Sequence, residues 1–322
     1  MRILLTGAGG AAAISVYKSL HPDHEMYMAD IDPCAAGLYL VPAERRMIIL
    51  PGQSANYLQD LIRQCVRAGI EVLIPTVDAE LLPIVEAAEQ FQQLHIQVPI
   101  SSAETLTMCR DKYQLLSFCE GLGVTPVFSI LTKESDKSDF PFPCFAKPRK
   151  GAGSTGAMII EDALAWDALP KDGSYLIQEL LPGEEYSVDV YIHSNGVALA
   201  AVPRLRMKID SGIAVAAQTK IMPELSRMAL DVAKKTGIRF VANIQFKADK
   251  NGQFKLLEIN PRFPGTLPLT AAAGIDIPKL LIKDLQGEPI SDHLLPFKEL
   301  MVVRYWTEQF FAIEEWQRLC QV

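Results

Sequence analysis

Short apolar runs and amphipathic runs alternate along the first hundred residues of the chain. Apolar runs bounded by turn residues favour strands, whereas apolar residues three or four positions apart favour helices. The pattern predicts strands at Ile3–Thr6, Met26–Asp30 and Val72–Thr76 and helices at Ala11–Leu20, Asn56–Ala68 and Leu81–Gln90. Because strands that alternate with helices of this length form parallel sheets, we expect an α/β fold with helices on both faces of a sheet.

The pattern changes near Ser101. The residues Ser101–Glu104 have the composition of a helix N-cap, and a helical stretch runs from them towards Leu122. The polar, proline-bearing stretch Thr132–Pro143 predicts an exposed connection. β-like segments and two further helices follow: Cys144–Lys147, Ala157–Ile160, Tyr175–Glu179, Tyr186–Ile192 and Val197–Val202, then the helices Glu224–Thr236 and Ile277–Leu285. These changes predict three domains, at residues 1–100, 101–183 and 184–322.

Composition narrows the class of protein. The chain has 322 residues, enough for two or three packed lobes, and its 49% apolar and 21% charged residues are typical of soluble globular proteins. A net charge of -7 argues against nonspecific nucleic-acid binding, and no apolar run is long enough to cross a membrane. The six cysteines show no C-x-x-C spacing, and Met1 leads directly into the first predicted strand. We expect a cytoplasmic protein whose partners are small molecules, and a homodimer stays open.

A predicted hairpin around Asn251-Gly252 carries the most informative chemistry. Asn-Gly between two alternating runs is typical of a two-residue type I′ turn, in which Lys250 faces Gln253. That register places four oxygen-bearing side chains on one face, namely Asn243, Gln245, Glu258 and Asn260, and leaves Ile244, Phe246, Leu257 and Ile259 for the core. Amide and carboxylate oxygens suit magnesium, although a polar, solvated strand face is the simpler alternative.

The run from Asn243-Ile-Gln245-Phe to Leu257-Glu258-Ile-Asn260-Pro-Arg262 resembles the metal-binding strands of ATP-grasp enzymes. The form with glutamine first resembles the large subunit of carbamoyl-phosphate synthetase, and the resemblance extends over residues 101–287. It implies a Rossmann-like N-terminal domain followed by a two-lobed ATP-grasp fold. It also implies ATP and two Mg²⁺ ions, with Mn²⁺ as an alternative. Gln245 and Glu258 would bind the ions, Asn260 would complete the shell of the second, and Arg262 would meet the γ-phosphate or acyl phosphate.

A basic, glycine-rich loop lies upstream, at residues 145–156. Glycines let successive backbone N–H groups converge on phosphate oxygens, although a flexible hairpin with incidental lysines has the same composition. No Gly-Lys-Ser/Thr follows the glycines, so the loop is not a Walker A motif. The resemblance assigns two phosphate-contacting cations and a mobile flap over the nucleotide: Lys112 and Lys147, with Gly151, Gly153 and Ser154 in the flap.

The segment after the flap reads as a strand, a turn and a strand. By resemblance, Gln178–Leu181 form the adenine hinge, with backbone contacts at Glu179 and Leu181. Glu185 matches the acid that binds the ribose hydroxyls, and an exposed turn is the alternative for that position. Many ATP-grasp enzymes have Glu-Lys where this chain has Gln178-Glu179.

The first glycine loop supports a rival function. Residues 7–12 fit G-x-G-x-x-A after the first strand, and Asp30 lies where a dinucleotide-binding domain has its ribose-binding acid. This alternative is an NAD-dependent oxidoreductase. The unit is, however, too short for a full six-stranded Rossmann sheet. The resemblance implies instead that the loop borders the substrate site and binds no NAD.

Arginines and acids near the expected mouth of the site are candidates for substrate contacts. Arg204 and Arg206 suit a carboxylate, although a charged edge strand explains them equally well. Asp78 and Glu80, at the carboxyl end of a predicted parallel strand, could meet an ammonium group.

The resemblance implies a carboxylate–amine ligase. The γ-phosphoryl group would pass to a carboxylate, and an amine would displace phosphate to form an amide or peptide bond. Arg262 and Lys147 would be the catalytic residues. Phosphorylation of bicarbonate or carbamate is an alternative within the family, and a non-catalytic ATP sensor is a third class of function.

Overall fold

The computed structural model describes residues 1–151, 155–210, 212–289 and 291–320. It is a mixed α/β structure built on three sheets. Within the described residues, no helix is both long enough and apolar enough to span a membrane.

The N-terminal sheet has four parallel strands in the order β3-β2-β1-β4. Its strands are β1 (Arg2–Thr6), β2 (Glu25–Asp30), β3 (Arg46–Ile48) and β4 (Val72–Ile74), and its helices are α1 (Ala11–Leu20), α2 (Tyr57–Ala68), α3 (Asp78–Glu86) and α4 (Ala88–Gln93). The helix expected at 81–90 is therefore two helices, which meet at Ala87. The prediction missed β3.

The second sheet is antiparallel, in the order β5-β8-β6-β7. Its strands are β5 (Phe128–Thr132), β6 (Cys144–Pro148), β7 (Met158–Ile160) and β8 (Asp172–Glu179), and α5 (Ala103–Arg110), α6 (Lys112–Cys119) and α7 (Ala163–Asp167) accompany it. Ser102 Oγ accepts the N–H of Thr105 at 3.3 Å, which confirms the predicted N-cap. The helix expected to continue towards 122 restarts at Asp111, whose carboxylate caps α6.

The third and largest sheet has six antiparallel strands in the order β13-β12-β9-β10-β11-β14. Its strands are β9 (Glu185–Ile192), β10 (Ala198–Asp210), β11 (Ile213–Thr219), β12 (Phe240–Ala248), β13 (Phe254–Asn260) and β14 (Met301–Val303). The helices of this part are α8 (Pro223–Thr236), α9 (Leu267–Ala272), α10 (Ile277–Leu285) and α11 (Ile313–Leu319).

One hydrophobic core joins the N-terminal sheet to the largest sheet. Ile3 and Val16 pack in the same buried cluster as Tyr191, Leu199 and Phe263. The hydroxyl of Ser15 also donates to the carbonyl of Gly265 at 3.2 Å, so α1 lies against the segment that follows β13. This packing brings the first glycine loop to the end of the candidate metal-binding hairpin.

Candidate active site

The hairpin of β12 and β13 places the predicted metal-binding side chains opposite one another. Gln245 pairs with Glu258 and Asn243 pairs with Asn260, as predicted. The turn differs from the prediction. The carboxylate of Asp249 accepts the backbone N–H groups of Asn251 and Gln253 at 2.8 and 2.9 Å, which gives a five-residue loop. Gly252 alone of the two central residues has a positive φ, of 80°, whereas a type I′ turn requires two.

A β-bulge restores the register between the loop and the metal-binding pairs. Phe246 lies opposite Leu256, whereas its neighbour Gln245 lies opposite Glu258, so Leu257 is the extra residue. Leu256 therefore occupies the core, and the prediction that Leu257 does so is wrong. Leu257 instead lines a cavity, and its carbonyl accepts a hydrogen bond of 3.2 Å from the ammonium group of Lys147.

Two adjoining cavities share Gln245 and Glu258 in their walls. We call the one between the second sheet and the hairpin the lid cavity; its lining includes Lys112, Lys147, Lys150, Gly151, Gln178, Leu181 and Glu185. We call the one over the largest sheet the sheet cavity; its lining includes Ser187, Arg204, Arg206, Asn260, Arg262 and Gly265. Ligands in the two cavities would therefore meet at the candidate metal-binding residues.

Lysines supply positive charge to the lid cavity, whose wall includes Lys112, Lys147, Lys150 and Lys247. Lys147 is buried, and burial lowers its pKa to about 8 although the charge of Glu258 opposes that shift. Lys112 donates to the carbonyl of Gly151 at 2.8 Å and lies 3.7 Å from the Glu258 carboxylate. Lys150 was not among the predicted site residues. It lines the cavity without a carboxylate partner in the described part of the chain. The basic run Lys147-Pro-Arg-Lys150 could have identified it from the sequence.

The other end of the lid cavity is apolar except for one amide. Gln178 is 2% exposed, and its Oε1 has no hydrogen-bond partner within the described structure. The hinge residues Leu180 and Leu181 lie beside it. The side chain of Glu179 is directed at Val127, because its carboxylate accepts the N–H of Val127 at 2.9 Å. The backbone N–H of Glu179 donates to the carbonyl of Val127 at 2.9 Å. This end thus presents an apolar slot with one unsatisfied acceptor.

An ion pair connects the two cavities. Glu185 lines the lid cavity and lies 3.2 Å from Arg206, which lines the sheet cavity. Arg206 also donates to the carbonyl of Gly212 at 2.8 Å, and its buried Nε has no partner among the described residues. Burial lowers the pKa of the Arg206 guanidinium from its usual value. Arg206 therefore has one buried donor that is unsatisfied among the described residues.

Arg204 is held inside the protein. Its Nε and Nη2 donate to the two oxygens of Asp189 at 2.8 and 2.7 Å, and both side chains are buried. Asp189 also accepts from Asn243 at 2.8 Å and from Thr270. The expectation that Arg204 grips a substrate carboxylate is thus corrected, because Asp189 already occupies the fork that would do so.

The two predicted acids of α3, Asp78 and Glu80, also differ from the expectation. Asp78 binds Arg262 through two hydrogen bonds of 2.9 and 2.8 Å, so it is not free for an ammonium group. Glu80 is buried beneath the first glycine loop, where it accepts the hydroxyl of Thr6. Burial raises the pKa of Glu80 to about 7. Neither acid lines the sheet cavity.

Backbone groups of the first glycine loop already form hydrogen bonds with other residues of the chain. Gly9 donates its N–H to Asp30 at 2.8 Å, and Gly37 donates to the carbonyl of Ala8 at 3.0 Å. A Cβ on Gly37 would lie 2.2 Å from that carbonyl oxygen, so the backbone of this segment lies directly against the loop. The acid expected to bind an NAD ribose is thus already a hydrogen-bond acceptor. The predicted flap residues Gly153 and Ser154 lie outside the described residues.

Comparison with known proteins shows which enzymes this chain resembles. A model described as "ATP-grasp in the biosynthetic pathway with Ter operon" matches residues 171–309. The D-alanine–D-alanine ligase of Thermotoga petrophila is 29% identical over 205 residues, which are 56% of this chain and 67% of that protein. The arginine-specific carbamoyl phosphate synthase large chain of Bacillus subtilis is 24% identical over 227 residues, 65% of this chain and 22% of that one.

Solved structures agree on the fold. Campylobacter jejuni biotin carboxylase, in its β-γ-ATP complex, matches with a TM-score of 0.71 and 20% identity over 90% of this chain and 72% of that one. These similarities favour a ligase over the NAD-dependent alternative. The chain is similar to ATP-grasp enzymes in sequence and in fold, and these similarities support an ATP-dependent ligase.

Proposed function

We propose that this ligase phosphorylates a carboxylate with ATP bound in the lid cavity and joins the resulting acyl phosphate to an amine in the sheet cavity. The observation that carries the proposal is the wall that the two cavities share at Gln245 and Glu258. A nucleotide in one cavity would present its terminal phosphate to a substrate in the other. Phosphoryl transfer requires chiefly such positioning and charge neutralisation, so the chain needs no nucleophile of its own.

The lid cavity suits an adenine nucleotide. The unsatisfied Oε1 of Gln178 would accept the exocyclic amine of adenine, and the carboxylate of Glu185 would accept ribose hydroxyls. Lys147 and Lys112 would lie beside the phosphates, with Lys150 as a further cation. The N-terminal parallel sheet would be a Rossmann-like unit whose loop borders the sheet cavity and binds no dinucleotide.

The donor set fits magnesium. Gln245, Glu258 and Asn260 offer hard oxygen atoms, and the Nδ2 of Asn260 donates to Glu258 at 3.1 Å, which leaves the amide oxygen of Asn260 free to bind a metal. The described residues contain no cluster of three or more His, Cys, Asp and Glu side chains that could hold a metal. One carboxylate with two amides suits ions that keep phosphate oxygens in their shell. Two bound Mg²⁺ ions would supply charge neutralisation there, and Mn²⁺ could replace them.

The other residues hold and orient the reactants. Arg262 would meet the transferred phosphoryl group while Asp78 fixes its guanidinium plane. Arg206, which keeps an unpartnered Nε, would contact the carboxylate or amine substrate. Lys147 would hold its proton beside the phosphates, because their negative charge raises the pKa that burial lowers in the free protein.

The test is ADP release from Mg-ATP with amino acids added singly and in pairs, and with bicarbonate plus ammonia as a separate arm. Glu258→Gln removes the shared carboxylate with little change of shape, and Glu224→Gln is the matched control on the exposed start of α8. Release that requires a particular pair, survives in Glu224→Gln and is lost in Glu258→Gln supports the proposal. Release with bicarbonate and ammonia alone would favour the carbamoyl-phosphate alternative. ATP binding without release in any mixture would contradict ligation of these substrates.

A further inference from the structure

The edge strand β14 leaves hydrogen-bonding backbone groups open. It pairs with β11, and its other side has no neighbouring strand among the described residues. Thr219 donates to the carbonyl of Leu300 at 2.8 Å, and Arg304 donates to the carbonyl of Val215 at 2.9 Å. Because hydrogen-bonded pairs alternate along an antiparallel ladder, the N–H and C=O groups of Met301 and Val303 point away from the sheet.

The side chains of this edge are apolar and exposed. Met301 and Val303 are 56% and 68% exposed on one face of β14, and the strand has no lysine, proline or other residue of the kind that blocks edge pairing. Tyr305, Trp306 and Phe310 follow, with exposed fractions of 88%, 89% and 92%. At about 150–250 Å² for each aromatic side chain, these three present roughly 500 Å².

This surface is large for a monomer and close to what a stable dimer needs. Soluble monomers rarely expose contiguous apolar patches above a few hundred Å², and a typical stable interface buries about 800 Å² on each partner. The three aromatic side chains would supply more than half of that area, and Met301 and Val303 would add to it. Together, these five exposed side chains therefore offer an area comparable with one side of a protein–protein interface.

We propose that β14 pairs antiparallel with the β14 strand of a second copy of this chain, about a two-fold axis at Val302. In this register, Met301 lies opposite the second copy's Val303, and the outward N–H and C=O groups of these residues form four hydrogen bonds across the axis. The strand is self-complementary because it is uncharged and its exposed side chains are apolar at both ends. The two six-stranded sheets become one continuous sheet. The side chains of Tyr305, Trp306 and Phe310 are buried beside the axis.

The dimer stiffens a wall of the candidate active site. Ala216 and Ala217 of β11 pair with β14, and Ile213 and Ala214 of the same strand line the sheet cavity. The dimer does not depend on the ligase proposal, since its test measures mass and amide exchange and not activity.

Sedimentation equilibrium of the full chain tests the mass. The wild type should show twice the mass of one chain, and Val303→Asp and Trp306→Asp should each raise the dimer dissociation constant at least about thirtyfold. Leu164→Asp is the matched control, because Leu164 is 81% exposed on α7, away from this edge. A wild type that stays monomeric at every concentration overturns the proposal. A dimer that both edge variants leave intact, or that Leu164→Asp dissociates equally, overturns it too.

Amide hydrogen exchange tests the pairing itself. The N–H groups of Met301 and Val303 should exchange slowly in the concentrated wild type and rapidly after dilution or in Trp306→Asp. Met301→Pro removes one outward donor and should weaken the dimer, whereas Met301→Leu should not. A dimer in which these two amides exchange freely would show that another surface forms it.

Discussion

The ammonium group of Lys147 donates a hydrogen bond of 3.2 Å to the carbonyl of Leu257, the extra residue of the bulge in β13. The second sheet and the hairpin of β12 and β13 thus meet through a buried cation and a backbone carbonyl. Lys147 pairs with no carboxylate in the described structure, and the burial that lowers its pKa to about 8 also destabilises its charged form. The site keeps this cation at a cost in stability.

Lys147→Met should separate stability from activity. Because methionine fills similar space without a buried charge, the free energy of unfolding at pH 7 should rise by about 1–2 kcal/mol, with the lost bond to Leu257 limiting the gain. The rate of ADP release should fall about a hundredfold or more, since a cation beside the phosphates is lost. Urea unfolding and the ADP assay measure the two effects. Lys250→Met, at the exposed hairpin loop, is the control. Equal loss of activity in both variants would contradict a role for Lys147 at the phosphates.

Asp78→Asn should lower turnover without removing a group that touches the phosphates. The neutral amide no longer fixes the Arg262 guanidinium, so we expect kcat to fall about tenfold with a smaller change in KM for ATP. Both side chains of the pair are partly exposed, so the loss of stability should stay near 1 kcal/mol or below. Steady-state kinetics measures the split. Asp60→Asn, which alters a surface pair with Arg63, is the control. A change confined to KM would show that Asp78 does not position a catalytic group.

Gln178→Met should weaken base recognition and stabilise the free protein. Removing a buried acceptor that has no partner should raise the free energy of unfolding by about 1 kcal/mol. The affinity for ATP should fall about tenfold, whereas that for GTP, which lacks the exocyclic amine of adenine, should change little. Calorimetric titration with both nucleotides measures this difference. Gln114→Met, at an exposed position on α6, should alter neither affinity. An equal loss for ATP and GTP would place Gln178 away from the base.

Glu80→Gln should change how stability depends on pH. Burial raises the pKa of Glu80 from 4.5 to about 7, so the folded state holds this proton more tightly than the unfolded chain does. The stabilisation from Glu80 is complete below about pH 4.5 and is lost as the pH rises through 7, by about 3 kcal/mol in all. Glutamine should flatten that decline and make the variant more stable than the wild type at pH 8. Urea unfolding from pH 5 to 8 measures the slope, and Glu224→Gln should leave it unchanged. A wild-type slope retained in Glu80→Gln would assign it to another group.

Local patterns predicted much of the fold, because many of its elements have strong periodicity of their own. Helices α1 and α10 begin and end where the apolar spacing placed them, and Ser102 caps α5 as expected. The edge strands β3 and β14 escaped prediction. The five-residue hairpin loop escaped it because the Asp249 carboxylate competes with the Asn-Gly turn for the backbone N–H groups.

Residues close together along the chain predicted the resemblance to ATP-grasp enzymes and the pairing of Gln245 with Glu258. The packing of distant segments sets which charged groups remain available to a ligand. Arg204 is neutralised by Asp189 from the neighbouring strand, and Arg262 is held by Asp78 from helix α3. An ion pair depends on the distance between two charges in space. The spacing of residues along a strand or helix does not predict which distant residue supplies the opposite charge.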